Sequence, residues 1–173
     1  MNNKQTLFLS LALAFQFSIL SGMYVLAALP LWTGKEIKLN TKPVDPRSLF
    51  RGNYALLKYD ISEIDQQSLP TKNKLRNGEK IYITLIAGEN NIYQFSQASL
   101  KQPDNGTFLV GRIQNRSWSN ASGYYSIKYG IEAFFAPKEK ALALEKQLRN
   151  NAIAVLMVAS NGKARLKDVI SAK

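Results

Sequence analysis

The sequence contains neither histidine nor cysteine among its 173 residues. Without cysteine the chain has no disulfide framework, no thiol nucleophile and no thiolate metal site. Without histidine it lacks the usual general base near neutral pH and the commonest metal ligand. These two absences predict no metal site and no cofactor, and they leave only enzyme classes that need neither side chain.

Acidic residues are few, because 12 Asp and Glu stand against 23 Lys and Arg, for a formal net charge of +11. All the acidic residues and 22 of the basic ones follow Trp32, so that part carries +10. Such a surface attracts acidic partners, including anionic envelope polymers and lipid headgroups. A solvated, lysine-rich surface explains the same charge. No compact basic stripe with interleaved aromatic residues is present, so we expect no nucleic-acid partner.

A run without charged residues extends from Leu7 to Trp32, between Lys4 and Lys35. A helix of this length reaches about 39 Å, more than the ~30 Å that the hydrocarbon core of a bilayer requires. A cleaved signal peptide is the alternative, but its apolar region should be only about 7–15 residues long. We therefore expect residues 1–34 to be an uncleaved, single-pass anchor in the membrane bilayer.

Two indications of membrane orientation disagree. Several basic residues follow the apolar run, Lys35 and Lys38 among them, and the positive-inside rule would keep the segment after the run in the cytoplasm. By contrast, when only a very short tail precedes an N-terminal anchor, the domain after the anchor is more often exported from the cytoplasm.

The remainder of the chain divides into an extended linker, residues 35–43, and one β-rich domain, residues 44–173. The linker is predicted because Lys42-Pro43 holds the chain out of a helix. Alternating and β-branched segments predict about seven strands in the domain. They are Tyr54 to Ile61, Lys80 to Ala87, Ile92 to Ser96, Thr107 to Gln114, Tyr124 to Phe135, Ala152 to Ala159 and Lys163 to Ile170.

The connections between these strands support a mainly β, α+β fold class. Asn161-Gly162 is the strongest short hairpin signal in the chain. Gly130 indicates a bulge or bend inside its strand. Pro137 suits the first turn of one amphipathic helix that runs to about Asn150.

Two tyrosines lie in the first predicted strand, where Leu57 and Tyr59 face inward and Lys58 faces outward. Tyr54 falls on the opposite face from Tyr59 unless a bulge intervenes, because their separation is odd. Core packing with a hydrogen-bonded hydroxyl is expected for both tyrosines. A groove that binds an extended peptide or glycan is the functional alternative.

Several segments, in order along the chain, resemble a family of small membrane-anchored bacterial proteins that is named after its motif, GDYxxLxY. They are Gly52-Asn-Tyr-Ala-Leu-Leu-Lys-Tyr59 with the preceding Val44-Asp-Pro-Arg47 and Arg51, Lys80 to Leu85, Gly111-Arg112, Tyr129-Gly-Ile-Glu132 and the hairpin from Val158 to Leu166. The chain departs from the motif at Asn53, where the family has Asp. An amide can still form a turn there but cannot ionise.

The resemblance implies one N-terminal helix and a soluble domain on the extracytoplasmic side of the bacterial inner membrane. It implies no established catalytic activity. The residues of the motif, with the polar and glycine residues expected beside them, form the predicted binding set. This set is Arg47, Arg51, Gly52, Asn53, Tyr54, Leu57, Tyr59, Arg112, Gly130 and Glu132.

Glu132 is the carboxylate of most interest, because it lies between apolar residues at a bend in a predicted strand. We expect it to be partly buried and to pair with Arg47, Arg51 or Arg112. Such a pair would hold the motif Gly52 to Tyr59, called the opening motif below, against the later strand.

An enzyme without histidine remains conceivable, since a Ser/Lys hydrolase needs none. The layout resembles that of type I signal peptidases, in which an anchor helix precedes a proline-bearing stretch, a Gly-Asp pair and a β domain. Their nucleophilic serine lies three residues before the proline. In this chain the residue three positions before Pro46 is Pro43. We therefore predict no catalytic residues, and at most an inactive relative of that fold.

The functional expectation is a non-enzymatic, membrane-anchored envelope protein that binds or stabilises a neighbouring integral membrane protein. The alternative is a binding module for anionic envelope material, through Arg47, Arg51, Arg112, Arg116 and nearby lysines.

Overall fold

A computed structural model describes residues 3–42, 54–69, 75–114, 123–135 and 152–171, with the side chains of Tyr54, Ala55 and Phe135 left out. The helix predicted between Pro137 and Asn150 falls outside the described residues.

The chain begins with one long apolar helix, α1, which extends from Asn3 to Thr33. Its 31 residues are apolar enough to cross a membrane, and none of its most apolar stretch is buried against the domain. The helix is apolar around its whole circumference, as is typical of a segment surrounded by lipid rather than by water on one side. The prediction of an N-terminal apolar helix is confirmed.

Eleven strands follow in the described residues, where the sequence predicted about seven. Four of them have only two or three residues, too few for an alternating pattern to be recognised. The strands are β1 (Lys35–Lys42), β2 (Tyr54–Leu56), β3 (Lys58–Tyr59), β4 (Glu63–Asp65), β5 (Lys80–Ala87), β6 (Tyr93–Ser99), β7 (Thr107–Gln114), β8 (Tyr124–Lys128), β9 (Ala133–Phe135), β10 (Ala152–Val158) and β11 (Ala164–Ser171).

The strands form two larger antiparallel sheets and one short ribbon. The first sheet has the order β11-β10-β1-β3, and the second has the order β4-β8-β7-β5-β6. The ribbon pairs β2 with β9. Three short 3-10 turns, Asp60–Ser62, Gln66–Ser68 and Glu89–Asn91, connect strands.

The segment predicted to be a linker is mostly a strand of the first sheet, and that prediction is wrong. Residues 35–42 form β1, which pairs with β10 along one edge and with β3 along the other. Ile37, Leu39 and Thr41 alternate as buried side chains in this strand. The alternation covers only three buried positions, one of them a threonine, and the partner strand lies more than a hundred residues away in the sequence.

The first strand of the prediction is interrupted rather than continuous. It divides at Leu57 into β2 and β3, which pair with different partners, β9 and β1. The inward-facing assignment is nevertheless confirmed, because Leu57 and Tyr59 are buried and Lys58 is partly exposed. The long strand predicted from Tyr124 to Phe135 likewise divides at Gly130, whose φ of +81° makes a bend.

One hydrophobic core joins the two larger sheets, since both contribute side chains to the same cluster. The largest fully buried members are Ile37, Leu39, Tyr59, Ile81, Ile83, Leu109, Ile113 and Leu156. The hairpin between β10 and β11 also contacts the second sheet directly, because Val110 donates its N–H to the carbonyl oxygen of Gly162 at 2.9 Å. The hairpin predicted at Asn161-Gly162 is confirmed.

Candidate functional site

Two tyrosines connect the opening motif to the bend before β9 through a reciprocal pair of hydrogen bonds. The hydroxyl of Tyr59 donates to the carbonyl oxygen of Ile131 at 2.6 Å. The hydroxyl of Tyr129 donates to the carbonyl oxygen of Ile61, also at 2.6 Å. Each segment therefore supplies one donor and one acceptor to the other, and we call this pair the tyrosine clamp.

Glu132 organises the bend that the tyrosine clamp holds. Its carboxylate accepts the N–H of Tyr129 at 2.5 Å and that of Gly130 at 3.0 Å. Its backbone carbonyl accepts the N–H of Leu57 at 2.7 Å, so the same residue also fixes the opening motif. Glu132 is partly buried, as expected.

Of the three arginines predicted to pair with Glu132, the structure describes only Arg112, and it gives Arg112 a different partner. The Nη1 atom of Arg112 donates to the carbonyl oxygen of Gly78 at 2.8 Å. Arg47 and Arg51 lie outside the described residues. Within the described residues, the Glu132 carboxylate accepts backbone N–H groups of the bend, and its pairing with Arg47 or Arg51 stays a prediction.

The protonation of the tyrosine clamp is fixed by its surroundings. Burial raises the pKa of Tyr59, and the negative charge of Glu132 raises it further. The same two causes, in the same order, raise the pKa of Tyr129. Both hydroxyls therefore remain protonated donors at physiological pH, which suits a structural role and not that of a general base.

A second feature, a cleft of about 1010 Å³, lies between the end of α1, the outer face of the second sheet and the β10–β11 hairpin. Its volume is at the upper end of the range of about 300–1,000 Å³ that is typical of small-molecule sites. The charged residues that line it are all cationic: Lys80, Arg112, Lys128, Lys163 and Arg165. No carboxylate lines it among the residues that the structure describes.

Three of these cations lie side by side across three neighbouring strands. Lys80 of β5 is the register partner of Arg112 of β7, and Arg112 is in turn the partner of Lys128 of β8. Residues directly opposite each other on antiparallel strands share a face of the sheet, and like charges in such positions are destabilising. We call Lys80, Arg112 and Lys128 the cationic row.

The other side of the cleft is formed by the helix and the hairpin. Leu26, Ala27 and Pro30 of α1 line it. Arg165 of β11 donates its Nε–H to the carbonyl oxygen of Ala27 at 3.1 Å and so joins the hairpin to the helix. The charged side chains of the cleft therefore lie on the sheet and the hairpin, and only the part formed by α1 is apolar.

Comparison with known families identifies the chain. A family model described as GDYXXLXY protein matches residues 16–169. The chain belongs to the GDYXXLXY family. Neither a curated protein nor a solved structure matches the chain.

The described residues of the GDYXXLXY motif are structural in this chain. Leu57 donates to the backbone of Glu132, and Tyr59 is one half of the tyrosine clamp. The backbone of Tyr54 pairs with Phe135 in the ribbon of β2 and β9. Gly52 and Asn53 lie outside the described residues.

The Gly111-Arg112 pair of the family resemblance connects the tyrosine clamp with the cleft. A Cβ atom at Gly111 would lie 2.3 Å from Cγ2 of Ile127 and 3.1 Å from the ring of Tyr129. Glycine is therefore required chiefly because of the Ile127 side chain on β8, and the Tyr129 ring leaves little additional space. The next residue, Arg112, contributes the centre of the cationic row.

The structure divides five described residues of the predicted binding set between two places. Leu57, Tyr59 and Glu132 belong to the tyrosine clamp and its bend, and Arg112 lines the cleft. Gly130 belongs to both, because it donates to Glu132 and also lines the cleft. The four other cations of the cleft were not predicted: Lys80, Lys128, Lys163 and Arg165. Strand register brings Lys80 and Lys128 beside Arg112, and the packing of the hairpin on the second sheet brings Lys163 and Arg165. Each one alone resembles an ordinary solvated charge.

Proposed function

We propose that this protein is a non-enzymatic, single-pass membrane protein whose domain binds an anionic ligand in the cleft. The cationic row carries this proposal. Three like charges in direct register destabilise a sheet, and a bound anion would remove that repulsion while replacing lost water contacts with charge-assisted hydrogen bonds. A solvated surface has no comparable need to place three cations opposite one another.

The composition of the cleft supports binding rather than turnover. Lysine and arginine side chains supply charge and hydrogen-bond donors for phosphate or carboxylate groups. The cleft is lined by five such side chains and, among the described residues, by no acid that could act as a base. The ligand class that fits is anionic envelope material.

The proposed location is the inner membrane of a bacterium, with α1 as an uncleaved anchor and the domain on the extracytoplasmic side. The length and apolar character of α1 support the anchor. A cysteine introduced at the exposed Asp104 should react with a membrane-impermeant thiol reagent in intact cells. Labelling that requires lysis would contradict the proposed orientation.

The test of anion binding uses the full chain in neutral detergent with inorganic polyphosphate as the probe. We expect the double variant Lys80→Gln/Lys128→Gln to bind the probe at least about tenfold more weakly than the natural sequence, and both affinities to fall with added salt. The matched control is Lys42→Gln/Lys58→Gln, which removes the same charge from residues outside the cleft. Equal losses in the two double variants would contradict a specific site.

A second candidate function is contact with a neighbouring integral membrane protein through α1. Small residues recur at every fourth position of this helix: Ser10, Ala14, Ser18 and Gly22. Such a stripe allows two helices to approach closely in lipid. A Cβ atom at Gly22 would meet nothing within 4 Å, so that position is open to a partner.

This candidate predicts that leucine on the stripe disrupts an assembly. Ala14→Leu/Gly22→Leu should abolish co-purification of a partner from membranes solubilised in mild detergent, whereas Leu13→Ala/Leu20→Ala should retain it. The partner would be identified by mass spectrometry. Recovery of the natural chain alone would contradict this function.

A further inference from the structure

The cleft lies at a defined depth relative to a bilayer that α1 crosses. About 20 helical residues span a hydrocarbon core of ~30 Å. Counted from Leu7, the first residue of the run without charged residues, they end at Leu26, which is one of the residues that line the cleft. The remaining turns of α1, to Thr33, extend about 10 Å further, somewhat more than the ~5–7.5 Å of one headgroup layer.

The two sides of the cleft differ in a way that suits a molecule with a charged and an apolar part. On the helix side, Leu26 is 72% exposed, so an apolar chain can contact it. On the sheet side, the cationic row presents two ammonium groups and one guanidinium. Arg112 uses Nη1 for the carbonyl oxygen of Gly78, and its guanidinium carries further N–H groups.

We propose that the ligand of the cleft is an anionic phospholipid taken from the leaflet at which α1 leaves the hydrocarbon core. Its phosphate binds the cationic row, and its acyl chains lie along the end of α1 at Leu26. Lys163 and Arg165 of the hairpin add positive charge on the remaining side. This inference rests on the proposed function, since it specifies which anion the cleft binds.

A lipid explains both sides of the cleft, whereas a free phosphate explains only one. A soluble anion would use the cationic row and leave the apolar side without a role. The shared chemistry is a phosphate group, so the two sources are separated by offering the same headgroup with and without acyl chains.

The experiment measures lipid binding to the full chain by native mass spectrometry from neutral detergent. The probes are phosphatidylglycerol, the zwitterionic phosphatidylcholine and soluble glycerol phosphate. We expect phosphatidylglycerol to bind at least about tenfold more tightly than either of the others. Each cation removed from the row, in Lys80→Gln or Lys128→Gln, should weaken phosphatidylglycerol binding about fivefold. The control Lys42→Gln should leave it unchanged.

The outcomes separate this inference from the proposed function. Equal binding of glycerol phosphate and phosphatidylglycerol would overturn the lipid assignment and leave anion binding in place. If polyphosphate binding depends on the cationic row but lipid binding does not, the lipid assignment is likewise overturned and anion binding is retained. If neither probe responds to the substitutions in the row, both proposals are overturned.

Discussion

The tyrosine clamp and the cationic row meet at Gly111-Arg112, where Gly111 contacts the Tyr129 ring and Arg112 is the centre of the row. Their polar groups differ in whether they are paired. In the clamp, each buried hydroxyl has an acceptor, and the Glu132 carboxylate accepts two N–H groups. In the row, three cations face one another without a carboxylate in the cleft, among the described residues. The difference teaches that the described contacts of the family's motif hold the fold together, whereas the less conspicuous lysines are the candidates for function.

The largest expected effect on the contrast between clamp and row comes from removing the Tyr59 side chain of the tyrosine clamp. Tyr59→Ala should lower the free energy of unfolding by about 3–5 kcal/mol, because a fully buried aromatic side chain is replaced by a cavity. Tyr124→Ala, at a residue that is 48% exposed, should cost only about 0.5 kcal/mol. Urea unfolding monitored by circular dichroism measures both. Similar losses in the two variants would show that the clamp has no special structural role.

A finer substitution isolates the hydrogen bonds of the tyrosine clamp. Tyr59→Phe and Tyr129→Phe should each lower the free energy of unfolding by about 1–3 kcal/mol, since each leaves a carbonyl oxygen without its donor. Polyphosphate binding by the folded protein should not change. Weaker binding at unchanged stability would instead place Tyr129, which lines the cleft, in the binding site.

Alkaline pH should affect the clamp in a predictable direction. Burial raises the pKa of both tyrosines in the folded state, so this contribution to stability is complete below the unfolded pKa of about 10. Above about pH 10 the unfolded chain releases protons that the folded chain retains, and stability falls. The double variant Tyr59→Phe/Tyr129→Phe should show a smaller fall in melting temperature between about pH 9 and about pH 11. An identical fall would contradict the assignment.

The smallest predicted effect has the opposite sign and belongs to the cationic row. At low salt and without a ligand, Lys128→Gln should raise the free energy of unfolding by about 0.2–1 kcal/mol, because it removes a like charge opposite Arg112. The gain should disappear at about 1 M salt, where charges are screened within about 3 Å. Lys58 also lies opposite a like charge, Lys42, but it forms an ion pair with Glu63 at 2.8 Å, so Lys58→Gln should give no gain. Destabilisation by Lys128→Gln would argue against unrelieved repulsion in the row.

Local signals predicted local structure well. Asn161-Gly162 marks the hairpin, and the alternation in Lys80 to Ala87 matches β5. The inward faces of Leu57 and Tyr59 also follow from alternation. These features depend on residues a few positions apart, so the information lies within the segment itself.

Long-range pairing could not be predicted in the same way. The segment 35–42 forms β1 because β10, more than a hundred residues later, accepts its backbone hydrogen bonds. Lys80, Arg112 and Lys128 become neighbours only through the registers of three strands, and a shift of one residue would turn each side chain to the other face. The hydroxyl partners in the tyrosine clamp are backbone carbonyls, which leave no mark on the sequence.

The junction between α1 and β1 has a mechanical consequence. Gly34 alone separates the last residue of the helix from the first residue of the strand, and a Cβ atom there would lie 2.3 Å from the carbonyl oxygen of Pro30. Because β1 is paired along both edges, the junction leaves no slack between the helix and the sheet. A change in the tilt of α1, as a bilayer of different thickness would cause, should therefore reorient the domain by a similar angle. The chain would thus convert the thickness of its membrane into the angle that its surface presents to other molecules.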